Sequence, residues 1–330
     1  MKRRTVLKLL AAPALIGLAA KAHAQGRQQI TFAYLLDPAY DAVTWAMTNG
    51  KIKSDLITVE ARGLAIPQLI QATAAKQYDV IQTAVIGIPP ASQRGLELRV
   101  MGVAQLASAG GEGAGIYVKR DSPIKRPEDL RGKTLATFGL RSTGHTLIRI
   151  ALTNKYKLNV PLEGGDVRQV EILAPNLPAA LSTGQADAAA LINSQAYRGV
   201  KSGEFRSIAE TAKDNTELFD MRFISAVNVA YPEGIAKRPE AYREFNRMFR
   251  DSVRYVLANR KEVFSAVGGK NNLEPEFFDW WFDKAWDVPG TFTEAHAKSI
   301  MRFFELSRDI GALQSFPDIR TLVAEQALRA

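Results

Sequence analysis

One stretch, Thr134-Leu-Ala-Thr-Phe-Gly-Leu-Arg-Ser-Thr-Gly-His145, restricts the fold more than any other. Leu135–Phe138 is apolar with Thr interspersed and follows the turn signal Asp129–Gly132, which predicts a short buried strand. Beyond it, Leu147, Ile148, Ile150, Ala151 and Leu152 recur on one helical face, so Thr146–Lys155 reads as a helix and Ser142–His145 as its N-terminus. A helix end of this kind presents unpaired N–H groups and the positive pole of the macrodipole, and neighbouring hydroxyls add donors. The same residues also suit a plainer role, in which Ser142 or Thr143 caps its own helix and Gly144 relaxes the turn.

The flanking pattern is α/β. Val170–Leu173 and the apolar run ending at Ile192 read as further strands, separated by a short helix that Pro178 opens. Upstream, Ile30–Leu35, Leu56–Ala61 and Val80–Ala84 read as strands with helices between them. Ile66-Pro-Gln-Leu-Ile ending in Asp79 and Leu177-Pro-Ala-Ala-Leu ending in Asp187 share one architecture, a Pro-opened helix closing into a strand. Strand-helix-strand repeats with short links imply mostly parallel sheets, whose ligands gather beyond the carboxyl ends of the strands. Asp37, Tyr40, the turn carrying Ala65 and Ile66, and Thr83 are the candidates from the first half, and Asn193 and Ser194 follow the last strand of the second. Gly110–Gly115 does not open a helix and so is no dinucleotide loop; it reads as a first crossing between two lobes, with Ala114 near the ligand, and Phe223–Tyr231 reads as a second. Two crossings make a hinge.

Lys125-Arg-Pro-Glu-Asp-Leu-Arg-Gly-Lys-Thr-Leu-Ala136, the Gly/Ser/Thr-rich turn ending in Gly144-His145, and Ala179-Ala-Leu-Ser-Thr-Gly-Gln-Ala-Asp-Ala188 occur in that order. In this the chain resembles the solute-binding proteins of ABC transporters of the nitrate/taurine/alkanesulfonate (SsuA/THI5-like) type, over nearly all of its length beyond Ile30. The resemblance implies a type II periplasmic-binding-protein-like fold: residues 27–114 plus 227–330 as lobe I and residues 115–226 as lobe II. It further implies a small anionic ligand, an inner-membrane permease with a cytoplasmic ATPase as partner, and a monomer in the periplasm. Relatives often show Trp-x-Pro where this chain has Asn193 and Ser194, a departure that argues against a bulky-walled sulfonate pocket and for a larger, more polar ligand.

Met1–Ala24 reads as an export signal with cleavage before Gln25: Arg3-Arg4 with Leu7-Lys8 follows the twin-arginine pattern, and Ala22-His-Ala24 supplies the small-residue end. The formal charge of +9 includes five positive residues there (Lys2, Arg3, Arg4, Lys8 and Lys21) and no acids, leaving +4 on the remainder. This is a mild bias towards anions and far from the basic stripe of a nucleic-acid binder. The absence of cysteine removes disulfides, lipid-anchored cysteine and thiol chemistry. No metal-ligand spacing, nucleophile elbow or cofactor motif is present, and of the three histidines only His145 falls near the expected cleft. The expectation is therefore a binder without cofactor or metal. Its acid seat would be Ser142, Thr143 and Gly144, with Arg141 as charge partner and His145 alongside. The alternatives are a pyrimidine or thiamine-precursor ligand stacking on Tyr40 or Tyr197, a pyrimidine-synthase-like enzyme on the same fold, and a periplasmic sensor.

Overall fold

In the computed structural model, which describes residues 26–328, the chain starts in β1 (Gln28–Leu35). It turns at Asp37, whose Oδ1 accepts from the Ala39 amide at 2.8 Å, and Pro38 then begins α1 (Pro38–Thr48). β2 (Ile57–Leu64) pairs parallel with β1 from Gln28↔Ile57 to Leu35↔Leu64. Ala65 opens α2 (Ile66–Ala74), its N–H held by Gln68 Oε1 at 3.2 Å, and β3 (Val80–Ala84), α3 (Ile88–Gln93) and β4 (Arg99–Ala107) follow. The export-signal reading of Met1–Ala24 lies outside the described residues.

The Gly110–Gly115 segment leads from β4 of the first sheet into β5 of a second. That lobe holds β5 (Ile116–Lys119), β6 (Thr134–Thr137), α4 (Thr143–Asn154), β7 (Arg168–Glu171), α5 (Leu177–Ser182), β8 (Ala188–Ala189), α6 (Asn193–Lys201), β9 (Phe205–Ala209) and α7 (Thr211–Phe219). The chain then returns as β10 (Ile224–Ala230), which is a central strand of the first sheet and not the second crossing that an apolar run at Phe223–Tyr231 suggested. The return lies earlier, around α7, and the lobe boundary moves with it from residue 227 to before residue 224.

The strand orders are β2-β1-β3-β10-β4 in the first sheet and β7-β6-β8-β5-β9 in the second. In both sheets most strands run in one sense, as the sequence implied, with a minority reversed. β10 is antiparallel to β3 and β4, and β5 is antiparallel to β8 and β9. Only strands linked by a crossover helix within one lobe run parallel; β5 and β10 arrive from the other lobe and insert in the opposite sense.

After β10 come α8 (Pro232–Lys237), α9 (Pro239–Ala258), α10 (Arg260–Asn271) and α11 (Pro275–Trp280). A π-helical turn, Trp281–Ala285, then leads into β11 (Trp286–Asp287), which adds to β4 at the edge of the first sheet. Thr293 caps α12 (Glu294–Asp309) as its sequence predicts, its Oγ1 accepting from His296 N at 3.3 Å. His296 Nδ1 accepts from Thr293 N at 3.2 Å and completes the cap. Among the described residues no α-helix follows α12.

Phe277, Phe278 and Trp281 are fully buried against α1, α9 and α10, so the aromatic run of α11 is core. Burying each such ring contributes about 1.5–3 kcal/mol. A second apolar cluster lies between the sheet of lobe I and α12, and Leu147 and Ile150 of α4 in lobe II belong to it along with Val85, Ile86 and Phe303. The two lobes therefore share part of this apolar cluster. Among the described residues no helix is long and apolar enough to cross a membrane.

Candidate functional site

A cavity of about 850 Å³ lies between the lobes. Lobe I supplies Ile66, Gln82, Thr83, Gln105, Ser225 and Trp286 to its wall; the first crossing adds Gly113 and Ala114, and lobe II supplies Phe138, Arg141–Gly144, Leu147, Asn193 and Asn215. Apolar side chains dominate, hydrogen-bonding groups punctuate them, and Arg94, Arg141 and Glu171 are the charged residues of the wall, the usual make-up of a small-molecule site.

The start of α4 opens into this cavity. Ser142 is the N-cap: its backbone is extended and its Oγ accepts from His145 N at 3.2 Å, while its carbonyl takes Thr146 N at 3.0 Å. The N–H groups of Thr143 and Gly144 are those that a helix cannot satisfy internally. A Cβ at position 144 would sit 3.1 Å from Cζ of Phe138, so the ring would have to shift by a few tenths of an ångström to admit one. Thr143 is buried, and its Oγ1 accepts from Ile86 N of the other lobe at 3.1 Å. Arg141 is exposed at the rim and makes no ion pair among the described residues, which leaves its guanidinium free to face an acid.

A second bridge closes the opposite side. Asn193 Nδ2 donates to Asp37 Oδ2 at 2.9 Å, and Trp286 Nε1 donates to Asn193 Oδ1 at 3.1 Å. One carboxamide from lobe II thus ties together two elements of lobe I, and Asn193 adopts a φ of 28° to do so. Asp37 is fully buried here and burial pushes its carboxyl up, with the bonds from Asn193 and Ala39 pulling it back. Trp286 fits because residue 113 is glycine; a Cβ would fall 2.4 Å from the indole Cε2. The bulky wall that Asn193 and Ser194 do not provide therefore comes from lobe I.

Of the residues singled out by sequence, Ile66, Thr83, Ala114, Arg141, Ser142, Thr143, Gly144 and Asn193 come together on the cavity wall. Asp37, Tyr40, Ala65, His145 and Ser194 are off it. Asp37 caps α1 and acts on the cleft only through Asn193, and Ala65 caps α2 behind Ile66. Tyr40 is core, with its hydroxyl donating to Ala104 O at 3.2 Å and its ring edge-on to Trp281. Ser194 follows Asn193 in the first turn of α6. His145 is fully buried inside lobe II, its Nε2 2.6 Å from Gln169 Oε1, and burial lowers its pKa to about 4. Tyr197 is also away from the cleft, packed on Phe277 and Trp280.

Sequence reasoning missed Gln82, Gln105, Phe138, Asn215, Ser225 and Trp286. Neither Trp286 nor the amides carry a local signal. Among the described residues no group of acids or histidines is placed to hold a metal ion.

The family model for NMT1/THI5-like proteins matches residues 64–263, more than half of the chain. The chain belongs to the NMT1/THI5-like family. Solved structures similar to this family member include the alkanesulfonate-binding protein SsuA of Xanthomonas axonopodis pv. citri bound to MOPS, at 16% identity and TM-score 0.72 over 93% of this chain and 100% of that one. The periplasmic aliphatic sulphonate-binding protein SsuA of Escherichia coli aligns at 17% identity and TM-score 0.69, covering 92% and 94%. The ligand-binding component of an ABC-type import system from Staphylococcus aureus, with zinc bound, aligns at 14% identity and TM-score 0.72, covering 92% and 100%. These likenesses give this family member the periplasmic-binding-protein fold; the neighbours named are binding proteins. No curated protein matches it in sequence.

Proposed function

We propose that this protein is the solute-binding component of an ABC importer, working in the periplasm, which holds a small organic anion between its lobes and releases it unchanged to an inner-membrane permease. The observation that carries this reading is the start of α4, where the N–H groups of Thr143 and Gly144 open onto a cavity walled by both lobes. The acid group sits there, with Arg141 at the rim as charge partner, and the body of the ligand lies against Ile66, Phe138, Leu147 and Trp286. A cavity of about 850 Å³ exceeds what nitrate needs and favours an organic sulfonate or aromatic carboxylate. The pyrimidine alternative loses support, because Tyr40 and Tyr197 lie away from the cavity.

A thermal-shift screen of the protein lacking residues 1–24, against sulfonates, taurine, nitrate, aromatic carboxylates and pyrimidines, tests this. A ligand at a hundredfold excess over its Kd adds about 2.7 kcal/mol of stability. Shifts confined to acids are expected; shifts from pyrimidines alone would overturn the anion reading. The Asn193 bridge makes a second prediction. Asn193→Ala removes both of its hydrogen bonds across the cleft, each worth about 1 kcal/mol, and should weaken an acid that binds by roughly fivefold to thirtyfold in calorimetric titration. Unchanged affinity would mean that the bridge plays no part in closure.

A further inference from the structure

Lobe I floors the cavity with β3, β10 and β4. Ala226 of β10 pairs with Ala84 on one side and Gln105 on the other, and Asn228 pairs with Gln82. Paired residues of an antiparallel ladder point to the same side, as do residues two apart on a strand. Gln82 and Gln105 thus stand on one face of the sheet with the small Ala84 and Ala226 beside them, and all four line the cavity. Each carboxamide is anchored by its oxygen. Gln82 Oε1 accepts from Leu35 N at 2.7 Å, and Gln105 Oε1 accepts from Ser225 Oγ at 2.6 Å. A backbone N–H only donates, so the Gln82 oxygen must face Leu35 and its nitrogen must point away. Gln105 Nε2 has no protein acceptor, and for Gln82 Nε2 the buried Tyr40 Oη takes up at most one of two N–H bonds. Both nitrogens stay open to the cavity that their residues line, since neither is among the sealed side-chain atoms left without a partner.

Building on the anion reading above, we infer that the amide nitrogens of Gln82 and Gln105 select a neutral hydrogen-bond acceptor, so that the ligand is an organic acid that also carries a ketone, ester or amide carbonyl. The charged residues of the wall, Arg94, Arg141 and Glu171, include none on β3, β4 or β10. A second carboxylate on this floor would be buried against neutral donors alone, a cost that a carbonyl oxygen does not carry. An ammonium group would set donor against donor. The two ends fit one molecule. Ile86, whose N–H holds Thr143 Oγ1 at the anion seat, lies four residues beyond Gln82, so at most about 14 Å separates their Cα atoms. The Gln82 side chain takes up part of that span, and a substituted ring or a short chain covers the rest.

Matched pairs that differ only by a carbonyl decide the point: 4-acetylbenzoate against 4-ethylbenzoate, and 4-oxopentanoate against pentanoate. Each is titrated calorimetrically into the wild-type protein, Gln105→Met and Gln82→Glu; the last keeps an acceptor for Leu35 N and puts oxygen in place of Nε2. In the wild type the oxo member of at least one pair should bind about tenfold more tightly or better, because the plain acid displaces water from the amides and pairs with neither. In at least one variant that ratio should fall to within about twofold. A wild-type ratio near one in both pairs overturns the assignment whether or not the variants fold, and so does a ratio that survives both substitutions. Acetophenone separates this inference from the reading beneath it. If it binds in a glutamine-dependent way and no acid binds, the anion seat is wrong and the carbonyl site stands; if neither acetophenone nor any acid binds, both are wrong.

Discussion

Glu210→Gln should stabilise the protein by on the order of 3 kcal/mol at pH 8 and change nothing below about pH 4.5. Glu210 sits between β9 and α7, where the chain begins its return from lobe II, and its Oε2 is buried without a partner. The two crossings are tied together here: Thr211 Oγ1 and Ala212 N both donate to Ala114 O, at 3.2 and 3.3 Å. Burial raises the Glu210 pKa from 4.5 to about 7; Glu112 of the first crossing and Asp214 add to the rise, while Ser207 and Lys213 oppose it. The native state then holds this proton more tightly than the unfolded chain does. The resulting stabilisation is complete below pH 4.5 and is lost as pH rises through 7. Glutamine keeps the shape and stays neutral throughout.

His145 works in the opposite sense. Its pKa is lowered from 6.5 to about 4 by burial first and by the charge of Arg149 second, so its contribution is present above 6.5 and lost as pH falls through 4. Between about pH 4.5 and 6.5 the two slopes oppose, and the wild-type stability profile from these groups is nearly flat. Removing Glu210 leaves the histidine slope uncovered, so the variant should gain stability steadily across that interval. Denaturant titrations at several pH values read both effects, and equal wild-type and variant stabilities at pH 8 would show that Glu210 ionises without cost.

Local patterns were legible in the sequence and long-range placement was not. The Ser142 and Thr293 caps and the Pro-opened starts of α2 and α5 were readable because each depends on a few adjacent residues. β10 was mistaken for a crossing because Ile224–Ala230 is mostly apolar, with only Ser225 and Asn228 polar, which is what a central strand shares with any buried linker. His145 was misplaced by geometry within one helix. It lies two residues, about 200° of rotation, beyond Thr143, so when Thr143 faces the cleft His145 must face the interior of lobe II. Leu147, one turn from Thr143, does return to the cavity. Trp286 depended on a π-helical turn that redirects the chain after α11 into the edge of the sheet. Asn215 has no local signature at all, since its place on the cavity wall comes from α7 packing on α4.

Replacing Thr143 separates the backbone of the proposed anion seat from its side chain. Thr143→Val deletes the hydroxyl that accepts from Ile86 N and keeps the N–H, so it should cost about 1 kcal/mol, roughly fivefold in affinity. Thr143→Pro deletes the same hydroxyl and the N–H as well. The helix tolerates it: position 143 is the first of α4, where proline is favoured, and Ser142 at φ −83°, ψ 157° already has the extended backbone that a residue before proline requires. A hydrogen bond from that N–H to a charged oxygen is worth about 1.5–3 kcal/mol, so the proline variant should bind an acid roughly 10- to 150-fold more weakly than the valine variant. Their melting temperatures without ligand should agree closely. Neutral ligands, which gain little from the helix end, should show no such gap. Equal affinities of the two variants for an acid would mean that the anion is held elsewhere and that Ser142, Thr143 and Gly144 do no more than begin a helix.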